Sequence, residues 1–183
     1  MARTSPVEKA KQVLKVAWDG RLPVYPEKIA RKMKVRWKHN GRLTKHMVLM
    51  EGQSNAELNG DSGFAEFQET VPGQPFRCVY NKDEILPRRR FTMAHELGHI
   101  LLGHVKSGAK PKRDNNFNAN GDWDEVDANA FAAELLMPET HVVHFLNQGM
   151  DISSMADKFL VSPTAMRYRL QRLGLLKPNK EYL

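Results

Sequence analysis

The motif His-Glu-Leu-Gly-His at residues 95–99 is the clearest chemical signal in the sequence. On a helix, His95 and His99 lie one turn apart on the same face, so both imidazole rings can reach one metal ion. Neutral imidazole nitrogen binds zinc well, and Glu96 follows the first histidine directly. Its carboxylate is placed to take a proton from an attacking water. The motif therefore predicts a Zn²⁺ site with His95 and His99 as ligands and Glu96 as the catalytic base.

A catalytic zinc ion needs a third protein ligand, from a separate segment, and an open fourth position. Glu125 suits this role, because it lies on a predicted helix that begins near residue 122 and can return over the first helix. Side chains two residues apart on a helix point in directions that differ by about 200°. Glu125 and Asp127 therefore cannot both face one metal ion. The rivals for the third ligand are Asp124, Asp127 and Glu134.

Other polar residues near the motif have supporting roles at most. Asn129 lies one helical turn after Glu125, where its amide can bond the second ring nitrogen of a ligand histidine and fix its orientation. The remaining histidines are expected to be surface or core residues. His104 is the nearest of them in sequence, but it follows Gly103, where the helix is expected to end. The full set is His39, His46, His104, His141 and His144.

The flanking sequence predicts the elements that position these residues. Apolar residues at helical spacing predict a helix over 6–18, and Pro26 begins a second, shorter helix. Residues 34–82 contain short strand-like runs between turn dipeptides, which we interpret as a small antiparallel sheet. The helix that carries the motif is expected to run from about residue 90 to Leu102, and a polar loop is expected over 106–121.

Two short helices joined by a tight turn are predicted at the C-terminal end, over residues 152–159 and 163–173. The second helix carries Arg167, Arg169 and Arg172, as a DNA-reading helix of a helix-turn-helix would. The alternative, which we favour, is that the pair packs on the rest of the protein and helps to bind a partner. A helical pair this small is not expected to fold alone.

Composition limits the kinds of partner and the cellular compartment that we expect. The 183 residues carry a formal net charge of +7, which is compatible with an acidic protein partner or with DNA but does not choose between them. Cys78 is the single cysteine, so no disulfide can form within the chain. The first residues lack the apolar run of a signal peptide, and no stretch approaches the ~18 apolar residues of a membrane span. We therefore expect a cytoplasmic protein.

Three blocks of sequence resemble the ImmA/IrrE-type metallopeptidases: RFTMAHELGH over 90–99, EVDANAFAAELLMP over 125–138, and MADKFLVS over 155–162 with AMRYRL over 165–170. The resemblance implies an α+β fold with a zincin-like (thermolysin-like) peptidase domain over 1–148. A helix-turn-helix-like segment over 149–183 would follow and pack on it. In this family the first acidic residue of the second block, Glu125 here, supplies the third zinc ligand. Asp127 departs from the glutamate that is common at its position.

The resemblance also implies a substrate. Members of the family cleave a partner transcription repressor of the helix-turn-helix type, which relieves repression of a mobile element, prophage or stress regulon. Some stand instead in toxin–antitoxin-like gene pairs. The expected partner is therefore a repressor or an antitoxin. The strand that ends at Tyr80-Asn81 is our candidate edge for pairing with substrate, and Tyr80 or His144 is a candidate to stabilise the oxyanion.

Two other functions stay open at this point. One is a DNA-binding regulator with a structural zinc ion, and the other is a toxin-like protein that binds a partner without cutting it. Glu96 disfavours both, because a structural zinc site needs no base and usually closes with four protein ligands.

Overall fold

The computed structural model describes residues 4–39, 42–68, 76–106 and 122–177, which form helices and two small sheets. Apart from Lys106, the loop predicted over 106–121 lies outside these residues. The helices are α1 (Pro6–Ala17), α2 (Pro26–Lys32), α3 (Leu86–Leu102), α4 (Trp123–Leu136), α5 (Glu139–Asn147), α6 (Ile152–Phe159) and α7 (Pro163–Arg172). The strands are β1 (Val35–His39), β2 (Arg42–His46), β3 (Val48–Gln53), β4 (Gly63–Phe67) and β5 (Phe76–Asn81). None of the described helices is long and apolar enough to cross a membrane.

The sheets correct one prediction. Strands β1 and β2 form an antiparallel hairpin, whereas the second sheet has the order β3-β5-β4 and is mixed. Strand β5 pairs antiparallel with β4 but parallel with β3, so the wholly antiparallel sheet was wrong for that pair. Turn dipeptides predict where a chain reverses, but not which strands meet afterwards. Residues 54–62 separate β3 from β4, and β5 then lies between the two strands.

The central position of β5 has a consequence for substrate binding. Both sides of β5 are paired, by β3 over its whole length and by β4 from Phe76 to Tyr80. The prediction that the strand ending at Tyr80-Asn81 is a sheet edge is therefore wrong. Within the described part of the chain, the edges of this sheet are β3 and β4.

Helix α3 begins four residues earlier than expected, because Pro87 favours its first turn and the following arginines are good helix formers. These arginines do not form one basic patch. Arg90 is 2% exposed and donates to the carbonyl oxygens of Leu160 and Val24. Arg88 is paired with Glu84, with 2.8 Å between Nε and Oε1.

The core is built around α3 and α4, which pack side by side. Ala94 and Leu97 of α3 are fully buried, as are Phe131 and Leu135 of α4. The other side of α3 lies on the three-stranded sheet, where the Cys78 thiol donates to the carbonyl oxygen of Met93. Helix α3 is therefore covered from both sides.

The two predicted C-terminal helices are present, and they share this core. Met155 and Phe159 of α6 and Met166 of α7 are fully buried in the same cluster as the α3 and α4 side chains. Arg169 of α7 is 6% exposed, and it forms an ion pair with Glu134 of α4. The likeness of this pair to a DNA-binding motif stays a prediction.

Candidate metal centre

The motif residues lie in the buried middle of α3. His95 is 0% exposed, Glu96 3% and His99 7%. Burying three polar side chains on one stretch of helix costs free energy unless each has a partner. Their environment therefore points to a site that uses them, rather than to an accidental match to the motif.

Glu125 completes a compact cluster of donor atoms. The Nε2 atoms of His95 and His99 are 3.0 Å apart. The Glu125 carboxylate lies 3.0 Å from His95 Nε2 through Oε2 and 3.3 Å from His99 Nε2 through Oε1. Three ligands at about 2.0–2.1 Å from one tetrahedral zinc ion are roughly 3.3 Å apart, so the spacing and the donor types fit zinc.

The helix cap of α4 places Glu125 there. The Asp122 carboxylate accepts from the backbone N–H of Asp124 and starts the helix at Trp123, so Glu125 falls in the first turn. Among the described residues, His95, His99 and Glu125 are the one group of three or more histidine, cysteine or acidic side chains close enough to hold an ion.

The rivals for the third position are not in the cluster. Glu134 is bound to Arg169, and Asp124 lies 3.5 Å from Nε2 of His104. Asp127 is only partly buried and is not part of the group, as its opposite position on the helix predicts.

Asn129 makes the contact that its position predicts. Its Oδ1 atom lies 3.0 Å from His95 Nδ1. Because an amide oxygen can only accept, the ring proton of His95 lies on Nδ1 in this bond. The lone pair of His95 is then on Nε2, facing His99 and Glu125. The contact fixes both the tautomer and the direction of the ring.

His104 is the residue near the site that the sequence analysis set aside as a surface or core histidine. Its side chain is 5% exposed, and its Nδ1 atom lies 3.1 Å from His99 Nδ1. Gly103 adopts φ 81°, and the backbone N–H of His104 then bonds back to the carbonyl oxygen of His99 at 2.9 Å. This glycine cap folds the chain onto the end of α3. A polar residue directly after a capping glycine was the available signal.

Glu96 and the buried Cys78 of β5 interact electrostatically. Burial, and then the negative charge of Glu96, raise the pKa of the Cys78 thiol well above its usual value. The thiol therefore stays protonated at neutral pH, and Cys78 is suited neither to metal binding nor to nucleophilic attack.

The two candidates for oxyanion stabilisation have contacts elsewhere. The Tyr80 ring packs on Gly52 of β3, where an added Cβ would lie 3.1 Å from its hydroxyl oxygen. The His144 ring packs on its neighbour Phe145. No described contact joins either residue to the cluster, so that role remains unassigned.

The family model Peptidase M78, described as the IrrE N-terminal-like domain, matches residues 67–171. The match spans more than half of the 183 residues and includes α3, α4 and the whole cluster. No curated protein matches the chain.

Proposed function

The chain belongs to the peptidase M78 family of IrrE N-terminal-like domains, and we propose that it is a zinc-dependent endopeptidase that cleaves a partner helix-turn-helix repressor. The observation that carries the proposal is the buried group of His95, His99 and Glu125, with Glu96 next to the first histidine. A peptidase family supports hydrolysis, and the donor set supports a metal ion.

In this proposal His95, His99 and Glu125 hold the zinc ion. Zinc, when bound, supplies a Lewis acid that activates water and polarises the scissile carbonyl group. The described residues offer three ligands and no fourth, which suits a catalytic site rather than a structural one.

Glu96 has the proton-transfer role. Its carboxylate takes the proton of the attacking water and later delivers it to the leaving amine nitrogen. At 3% exposure it works in surroundings that hold little competing water. General-base groups typically contribute 10²–10⁴-fold to a rate, so this residue should dominate turnover.

Strand β4 replaces β5 as the edge that pairs with substrate. Gly63, the first residue of β4, lies so close to α3 that an added Cβ would be 2.7 Å from Cγ2 of Thr92. Thr92 precedes His95 by about one helical turn. An extended peptide added along β4 would therefore run beside the helix that carries the motif.

The proposed substrate follows from the family resemblance of the sequence. A repressor of the helix-turn-helix type would be cut, and transcription of a mobile element, prophage or stress regulon would begin. This substrate acts on DNA in the cytoplasm, which is where we place the peptidase.

The structure bears differently on the two alternative functions. Arg169 is buried against Glu134, so only two of the three arginines on α7 would be accessible to DNA. Arg167 and Arg172 are exposed, and salt-dependent binding of duplex DNA through them would favour that role. A toxin-like protein that holds an antitoxin would form a stable complex without any cleaved product.

The direct test uses a helix-turn-helix repressor, and one encoded beside this gene would be the first candidate. Zinc-loaded protein is incubated with that repressor and, as a control, with an unrelated repressor of the same type. We expect one defined pair of fragments by mass spectrometry from the cognate repressor alone. A stable complex that is never cut would support the toxin-like alternative. The absence of both binding and cleavage would refute this choice of substrate.

A further inference from the structure

His99 has a different support from His95. The outer nitrogen of His95 meets an amide of α4, whereas the outer nitrogen of His99 meets a second imidazole. Nδ1 of His99 lies 3.1 Å from Nδ1 of His104, and Nε2 of His104 lies 3.5 Å from Oδ1 of Asp124. Three side chains thus form a row that leads away from the cluster.

The proton positions along this row follow from the use of His99 as a ligand. A ligand nitrogen must present its lone pair, so Nε2 of His99 carries no proton and Nδ1 carries one. That N–H needs an acceptor, and Nδ1 of His104 is in position to accept it. The proton of His104 then lies on Nε2, the nitrogen that is 3.5 Å from Oδ1 of Asp124. Each assignment requires the next, and the geometry accommodates all of them.

The row also joins the two helices that build the cluster. His104 follows the glycine cap at the end of α3, and Asp124 lies in the first turn of α4, next to Glu125. With 5% of its side chain exposed, His104 meets little water that could replace His99 as its partner. A residue placed this way controls the ring direction of His99 relative to Glu125.

We propose that His104 is a positioning residue of the metal site, which holds His99 in its Nδ1–H tautomer and is itself oriented by Asp124. The inference rests on the proposed zinc site and deepens it. Outer partners of ligand histidines typically change metal affinity by 10–100-fold. His104 acts through His99, so its loss should appear in zinc binding itself, before any question of turnover.

The test compares three variants at one position. His104→Asn keeps an acceptor oxygen close to the place of Nδ1, His104→Phe keeps a flat ring without an acceptor, and His104→Ala removes both. Zinc dissociation constants are measured by chelator competition on full-length apoprotein, with circular dichroism as a check of folding. His141→Phe serves as the control, because it changes a histidine whose ring packs on Trp18 and has no described contact with the cluster.

We expect the Phe and Ala variants to bind zinc 10–100-fold more weakly, while the Asn variant and the control stay within about threefold of wild type. Wild-type affinity in the Phe variant would overturn the proposal. An Asn variant as weak as Phe would also overturn it, because the role would then be shape and not hydrogen bonding.

A second measurement serves if the Phe variant does not fold. Nitrogen NMR of the zinc-loaded wild type should show the proton of His104 on Nε2, with its Nδ1 free of a proton and accepting from His99, and a proton on Nδ1 of His104 would refute the assignment. Full zinc binding by a Glu125→Ala protein would instead count against the zinc site itself. This measurement therefore separates a failure of the zinc site from a failure of the His104 proposal.

Discussion

A Cβ atom added at Gly98 would lie 3.0 Å from Cδ1 of Phe131. Gly98 is inside the motif on α3, and Phe131 is on α4, six residues beyond Glu125. The absence of a side chain at Gly98 therefore sets how closely the two helices approach. Since the cluster takes two histidines from α3 and one carboxylate from α4, this approach also sets the distances between the donor atoms.

Gly98→Ala should weaken zinc binding by roughly tenfold or more. The added methyl must push the Phe131 ring or separate the helices, and overpacking typically costs about 1–3 kcal/mol. Alanine regains about 1 kcal/mol of helix propensity, so the free energy of unfolding should change less than the metal affinity. Adding Phe131→Leu should restore part of the affinity. Unchanged zinc affinity in the single variant would show that helix spacing does not govern the site.

Glu125→Ala should lose zinc on dialysis against a weak chelator, while Asp127→Ala should keep about the wild-type content. Glu125 supplies a ligand oxygen, whereas Asp127 lies outside the cluster. Metal analysis of the two dialysed proteins decides between them. Retention of zinc by the Glu125 variant would require a different third ligand.

Arg169→Ala should destabilise the protein by about 3–5 kcal/mol, because it leaves the buried carboxylate of Glu134 without its partner. Arg167→Ala and Arg172→Ala remove exposed charges on the same helix and should each change stability by less than about 0.5 kcal/mol. Urea unfolding at pH 7 measures all three. Equal, small effects at the three positions would contradict a structural role for the buried pair.

The deficit of the Arg169→Ala protein should shrink as the pH falls from 7 toward 5. Burial raises the pKa of Glu134, and Arg169 opposes that rise. Without Arg169 the folded-state pKa rises further above the unfolded value of about 4.3. Between these two values the folded state binds the proton more readily, so lowering the pH favours folding. A deficit that grows on acidification would contradict this account.

Cys78 offers a probe of metal binding that does not depend on turnover. The thiol is fully buried, so a thiol reagent reaches it only when the protein opens. Zinc at 100 times its Kd should stabilise the folded state by about 2.7 kcal/mol and slow labelling about 100-fold. The same zinc should not slow labelling of the Glu125→Ala protein. Equal protection of both would place the ion elsewhere.

Helical spacing and the family resemblance together predicted the main part of the site. Spacing within a helix gave His95 and His99, and the resemblance favoured Glu125 over its rivals. Asn129 then follows one turn after Glu125, and the structure brings all four together. Local sequence could not predict the parallel pairing of β3 with β5, because strand partners are selected by contacts across the whole chain. In the sequence, Arg90 and Arg169 look like surface residues, because nothing nearby indicates that they are buried. Their buried partners lie far away in sequence.

The role of His104 could be predicted only in part from the sequence. The capping glycine at 103 was visible in the sequence, and it predicted where α3 ends. The direction in which the next side chain points depends on the left-handed conformation of that glycine and on the start of α4. The glycine conformation is local, whereas the start of α4 beside it is a tertiary feature.

The most direct test of the account is Glu96→Gln, which keeps the size of the side chain but cannot take a proton. Because Glu96 is not one of the proposed ligands, folding, zinc content and repressor binding should match wild type. Cleavage of the cognate repressor, followed by mass spectrometry with equal amounts of zinc-loaded protein, should fall by at least about 10²–10⁴-fold. Cleavage by the Gln protein at the wild-type rate would contradict the assignment of Glu96 as the base and, with it, the proposed peptidase mechanism.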